Sequence, residues 1–313
     1  MDLQPMTLFR NAVPSLSEVR AIAESYRTPL GRQTERRLRR LESEEPDPAV
    51  LEVVSGPFET VPDVADRLQE LEAHFRERND RRSVFLTVYA GMTASVEAKI
   101  ESGSFLDSEW IREYLVTFAE YYRRALLAFE RREFEDVPPP WRISFAAAVH
   151  GDALVLQDAL LGINAHINYD LSYALHDVGV DPDRPAKRAD HDRINDVLER
   201  LVDVVQETLV SVYSAAGVTA ADELLGRIDE RLALVGLQGG REFAWDNAVL
   251  LADVPWRPVR GFVDWRVRAV STGAASLLVG PPLDSVDRER LRSVEDSLES
   301  VAAFHDEFTE RAP

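Results

Sequence analysis

The chain has 313 residues, 45% of them hydrophobic, and a net charge of −19. That is enough to bury a large core, and the absence of cysteine excludes disulfides, thiolate metal sites and cysteine nucleophiles. So acidic a surface repels nucleic-acid phosphates and anionic lipids, and no apolar run approaches the roughly 18–20 residues of a spanning helix.

The N-terminus has no basic region followed by an apolar block. The chain therefore reads as cytoplasmic, with neither nucleic acid nor membrane as partner. Of its 36 basic residues only Lys99 and Lys187 are lysines. Acidity with almost no lysine reads as adaptation to high salt, where the field is screened within about 3 Å at 1 M. The alternative, a basic partner drawn by charge, is weaker because the acids are dispersed along the chain.

In chain order, "SLSEVRAIAESYR" (15–27) has helical apolar spacing behind Ser15 or Ser17, and "GRQTERRLRRLESE" (31–44) is a polar, arginine-rich helix. "EEPDPAV" (44–50) breaks the pattern, and "VLEVVSG" (50–56) is the one plausible short strand. Helices follow over 61–78, with Val64, Leu68, Leu71 and Phe75 on one stripe, over 81–103 behind Asp80, and over 108–132 behind Asp107. "EDVPPPW" (135–141) is a stiff connection before a short helix around Trp141–Val149. A long apolar helix over 152–178 stops at Gly179. "VDPDRPAKRAD" (180–190) reads as a loop whose Asp190 caps a helix over 191–215. Further helices are expected at about 219–235, 239–252, 256–278 and 284–310. "RGFVDWRVR" (260–268) reads as core aromatics with arginine–acid pairs. The fold class is all-α: one multi-helix, bundle-like domain (51–313) around a central buried helix, with residues 1–50 as a helical extension.

That central helix contains "LLGINAHINYDL" (161–172), a polar string in an apolar setting. At about 100° per residue, with Asn164 at zero, Gln157 and Asn168 fall within about 40° of it, and His166, Asp177 and Asp170 lie opposite, at about 200–240°. A helix apolar on both remaining flanks is surrounded by others, and each buried polar group then needs a partner or costs about 1–3 kcal/mol. One reading is a structural network: Asn164 and Asn168 bond neighbouring backbone, and Asp170 holds His166 or pairs with an arginine. The other is chemical: His166 and Asp170, four apart on one face, act as an acid–base pair or as metal ligands. Such a pair needs further ligands, and "ADHDRIND" (189–196) is the richest source, although acids there also suit a helix N-terminus. Glu97 and Glu120 read as salt-bridge residues. His150 points away from His166, His74 reads as a surface residue, and His176 and His305 read as exposed. No phosphate-binding glycine loop or nucleophile elbow is present.

Residues 82–126, 154–175 and 192–198 resemble the family catalogued as domain of unknown function 5995, which occurs in actinobacteria and salt-loving archaea. The likeness spans about residues 60–250, and the LLGINAHINYDL stretch is its most specific part. It implies a helical fold without a defined activity. It matches Gln157, Asn164, His166, Asn168, Asp170, Asp192 and Asn195, and leaves out His150 and His191. The site expected from residues and resemblance together has His166 and Asp170 as the chemical pair. Asp192 is the third ligand if a divalent metal binds, and Gln157, Asn164, Asn168 and Asn195 position substrate. The leading expectation is a metal-assisted hydrolase or small-molecule enzyme. The rival is a non-catalytic binding or scaffold protein in which the same residues form a closed network. A small-molecule ligand and a homo-oligomer are compatible with both.

Overall fold

The computed structural model describes residues 30–151, 153–215, 237–279 and 300–312, with positions 19, 22, 23, 289, 291–293 and 295. The helix expected over 219–235, most of that over 15–27 and much of 284–299 lie outside the described residues. In chain order the helices are α1 (Leu30–Leu41), α2 (Pro48–Val54), α3 (Val61–Glu77), α4 (Arg82–Glu101), α5 (Ser108–Glu130), α6 (Pro139–His150), α7 (Val155–Ala165), a π turn (His166–Asp170), α8 (Leu171–Val178), α9 (Arg184–Arg193), α10 (Asn195–Ala215), α11 (Leu237–Asp253), α12 (Arg257–Val279) and α13 (Ser300–Arg311). The molecule is 82% helical with no strand among the described residues, which makes it all-α.

Capping chemistry starts several of these helices. Thr60 accepts a hydrogen bond from Asp63 N at the start of α3, and Asp107 does so from Trp110 N at the start of α5. Asp80 bonds Arg82 N at 2.9 Å, although the residue flanking α4 is Arg81. The strand expected over 50–56 is absent, and residues 50–54 belong to α2. Asp47 accepts from Ala49 N and Pro48 occupies the first turn, so a local cap outweighs the β-branched run. The prolines before Trp141 likewise begin α6, because proline is tolerated in a first helical turn.

The loop expected over 180–190 is mostly α9, and Asp190 caps nothing after it. Its carboxylate accepts from Leu106 N at 2.8 Å and Asp107 N at 2.7 Å, across the fold. Lys187 Nζ donates to Gly179 O and Asp181 O. These inward anchors hold a polar helix that has no apolar stripe.

α7, the π turn and α8 form one rod, with α4, α5, α6, α11 and α12 packed around it. Leu160, Leu161, Leu171 and Leu175 sit in its main core cluster. Two glycines set close approaches. A Cβ on Gly162 would lie 2.4 Å from Phe85 Cγ, and one on Gly240 would lie 2.4 Å from Asn168 Oδ1. Phe85 therefore rests on α7, and α11 on the π turn. The aromatics of 260–268 are not core residues: Phe262 is 37% exposed and Trp265 43%. Only the arginine between the buried valines turns inward, with the Arg266 guanidinium 4.8 Å from the Phe243 ring centre. No described helix is long and apolar enough to cross a membrane.

Candidate functional site

The rod widens where its polar groups lie. Leu171 N–H donates to the His166 carbonyl five residues back, which defines the π turn. His166 Nδ1 lies 3.0 Å from Asp170 Oδ2, and Trp141 Nε1 donates to the same oxygen at 2.8 Å. The imidazole lies flat against Phe118, with ring centres 3.5 Å apart and planes 7° apart. Tyr89 meets it edge-on at 4.6 Å, and Phe85, Trp141 and Tyr122 complete an aromatic box. His166 is 3% exposed and Asp170 fully buried. Burial holds the imidazole well below its ordinary pKa. It pushes the Asp170 carboxyl well above its own, against the pull of the Trp141 hydrogen bond. Each group is thus driven to its uncharged form. His166 Nε2, Asp170 Oδ1 and Tyr89 Oη are buried with no hydrogen-bond partner.

The amides face the other way and are engaged. Asn164 Nδ2 donates to Ser271 O at 2.9 Å, and Asn168 Nδ2 donates to Asn164 Oδ1 at 3.0 Å. Gln157 accepts from Leu154 N and donates to Leu278 O at 2.7 Å. Gln157 and Asn164 therefore staple the rod to the α12 backbone. Asp177 is away from the pair, at the surface, and accepts from Tyr121 Oη at 2.7 Å.

The model of a family described as "Family of unknown function (DUF5995)" matches residues 61–281. The chain belongs to that family. No curated protein and no solved structure matches the chain. The DUF5995 span contains the rod and every helix packed around it, and it reaches further toward the C-terminus than the likeness read from the motifs.

Within that span Asp192 does not join His166 and Asp170. It sits on α9, nearly half exposed, with Arg188 Nε donating to it at 3.0 Å. Among the described residues no three His, Cys, Asp or Glu side chains converge as a metal would need. The donors at the rod are two groups already bonded to each other, which does not fit a metal site. Asn195 is also elsewhere, on α10, where its Oδ1 accepts from Arg241 Nε at 2.7 Å. Glu120 is a salt-bridge residue, with both oxygens on Arg123 Nε. His176 and His305 are half-buried, not exposed, and His305 Nδ1 lies 2.8 Å from Glu72.

Several residues escaped sequence reasoning. Trp141 and Phe118 flank the pair from distant helices, and nothing local marks them. Arg241, unmarked in the sequence, forms a second buried polar cluster with His191, which the sequence reading weighed within 189–196 and set aside as a ligand. Arg241 is 1% exposed and donates from Nη1 to Tyr114 Oη at 3.4 Å and from Nη2 to His191 Nδ1 at 3.0 Å and to the His191 carbonyl. His191 Nε2 lies 3.3 Å from the Arg241 carbonyl, which calls for the proton on Nε2 and leaves Nδ1 as the acceptor. Burial, reinforced by Arg241 and Arg188, holds this imidazole well below its usual range.

Proposed function

We propose that this DUF5995 protein is a non-catalytic helical binding or scaffold protein whose central polar residues form a closed hydrogen-bond network. The enclosure of His166 carries this reading. A general base has to come within hydrogen-bond reach of a substrate proton, and a catalytic metal keeps an open coordination position. An imidazole stacked on Phe118 and boxed by four further aromatic rings offers neither. The rod amides support the same reading, since their hydrogen bonds run to backbone of α12, to the start of α7 and to each other.

A second reading, a small-molecule enzyme using His166 and Asp170, draws on a different observation. His166 Nε2 and Asp170 Oδ1 are buried without partners on a π turn, a feature frequent at functional sites. Metal content separates the network from a metal-assisted form of that enzyme, and the stability of a His166 variant reports on the network itself. The network reading expects purified protein without stoichiometric metal, and a His166→Ala variant destabilised by about 1–3 kcal/mol in urea unfolding. One equivalent of divalent metal in the wild type that is lost in His166→Ala would overturn it.

A further inference from the structure

We propose that the chain forms a two-fold dimer in which the arginine–aromatic head of α12 in each copy enters an acidic groove of the other. Trp256, at the start of α12 between Pro255 and Pro258, is 70% exposed. The two prolines restrict the backbone there, so little freedom is lost on binding. Phe262 and Trp265 follow on the same helix, also exposed, with ring centres 5.9 Å apart. Arg257, Arg260 and Arg268 are exposed among them, and among the described residues no acid forms an ion pair with any of the three. On a chain with 55 acids, this basic and aromatic knob departs from the surface around it. Exposed apolar patches mark interaction sites, and tryptophan and arginine are the residues that most often dominate binding at interfaces.

The groove, about 570 Å³, lies where the start of α3, the end of α4, α5 and the end of α8 meet. It carries Glu59, Glu97, Glu101, Glu109, Glu113 and Asp177 against one arginine, Arg112, which already pairs with Glu109. Ile100, Val116 and Val178 give it apolar lining for an aromatic ring. Neither feature alone names a partner, but the two together name a second copy of the chain. A net charge of −19 drives copies apart in most orientations. Like-charge contact is costly, so the orientation that sets the arginines on the carboxylates is selected. Knob and groove also share one side of the molecule. Tyr173 and Asp177, four apart on α8, face the same way. Tyr173 donates to Asp264 of α12 at 3.1 Å, and Asp177 lines the groove. Tyr121 of α5 bonds Asp177 and stacks on Tyr173, with ring centres 6.3 Å apart. Adjoining complementary patches suit a closed two-fold contact, since each copy then gives its knob and receives the other's.

This interface shares no residue with the His166 network and goes beyond the reading given for it. The test is sedimentation velocity on the full chain, which should sediment as a dimer. Arg257→Glu with Arg260→Glu reverses the knob, and Glu97→Arg with Glu101→Arg reverses the groove. Each double variant should dimerise at least about tenfold more weakly. An equimolar mixture of the two should recover a dimer, because every contact is again between opposite charges. Trp256→Ala, at a side chain too exposed to support the core, should weaken dimerisation several-fold, and it covers the case in which a charge reversal fails to fold. A wild type that stays monomeric at about 100 μM, beyond the micromolar end of ordinary interfaces, would overturn the proposal and leave both patches to partners of other kinds. So would assembly beyond a dimer, a dimer that neither reversal nor Trp256→Ala weakens, or folded reversal variants that stay apart when mixed. Failure here leaves the closed network standing, and metal found at His166 would leave this interface standing.

Discussion

His166 and Asp170 are both driven to the uncharged state by burial, yet they tilt the pH dependence of stability in opposite directions. His166 is held below its unfolded value. Its contribution is complete above about 6.5 and is lost as pH falls, at up to about 1.4 kcal/mol per pH unit, because the unfolded imidazole takes a proton that the folded one refuses. Asp170 is raised, so its contribution is complete below about 3.9 and is lost as pH climbs toward its folded value. His166→Phe keeps an aromatic ring in the box and removes the imidazole. Urea unfolding should then lose stability less steeply between pH 7 and 5 than in the wild type, by about one proton, and His191 should sustain the remaining slope. Equal slopes would mean that the folded protein holds a charged His166. Asp170→Asn retains an acceptor for Trp141 and should flatten the decline above pH 4. The pair itself was legible in the string 161–172, because its two members are four residues apart. Trp141 was not, since it meets Asp170 only through the tertiary fold, 29 residues away in sequence.

Helices with a plain local signal were readable: α3 from its stripe of Val64, Leu68, Leu71 and Phe75, and α5 from its Asp107 cap, while the Thr60 cap of α3 emerged only with the structure. α2 and α9 were not. The Val-rich run of α2 suits a strand until the Asp47–Pro48 cap is weighed, and α9 depends on Lys187, Asp190 and His191 finding partners elsewhere. The π turn was invisible to a count of 100° per residue, since that count assumes the regular helix it interrupts. Gly162 tests how tightly the rod is held. Alanine should gain about 1 kcal/mol of helix propensity, but its methyl would meet Phe85 at the Cγ and Cβ end, where a ring cannot simply swing aside. Overpacking of this kind costs about 1–3 kcal/mol. Gly162→Ala is therefore expected to lower the urea midpoint, and an unchanged or higher one would show that Phe85 yields easily.

The excess of acid over base, 55 against 36 residues, acts on the folded chain as a whole. Like charges on a compact body repel, and salt relieves that repulsion. Raising KCl from about 0.1 M to 1 M, which shortens the screening length from about 10 Å to 3 Å, should raise the thermal midpoint. A flat or falling midpoint would remove the case for salt adaptation. The buried pairs that tie distant parts together, such as Arg81 with Asp158 and Glu295, are shielded from this effect because they lie out of solvent.

Phe118 has one face on the imidazole and also borders a small cavity lined in part by Arg241. With Tyr89, which also meets the imidazole and borders the cavity, this ring is a party wall between two compartments. A group that displaced the ring on binding at one side would be coupled to binding at the other, and that coupling free energy would be the same in both directions. The His166 ring protons, lying in the shadow of that ring current, make a built-in gauge: their nuclear resonances report on the neighbouring room without any label.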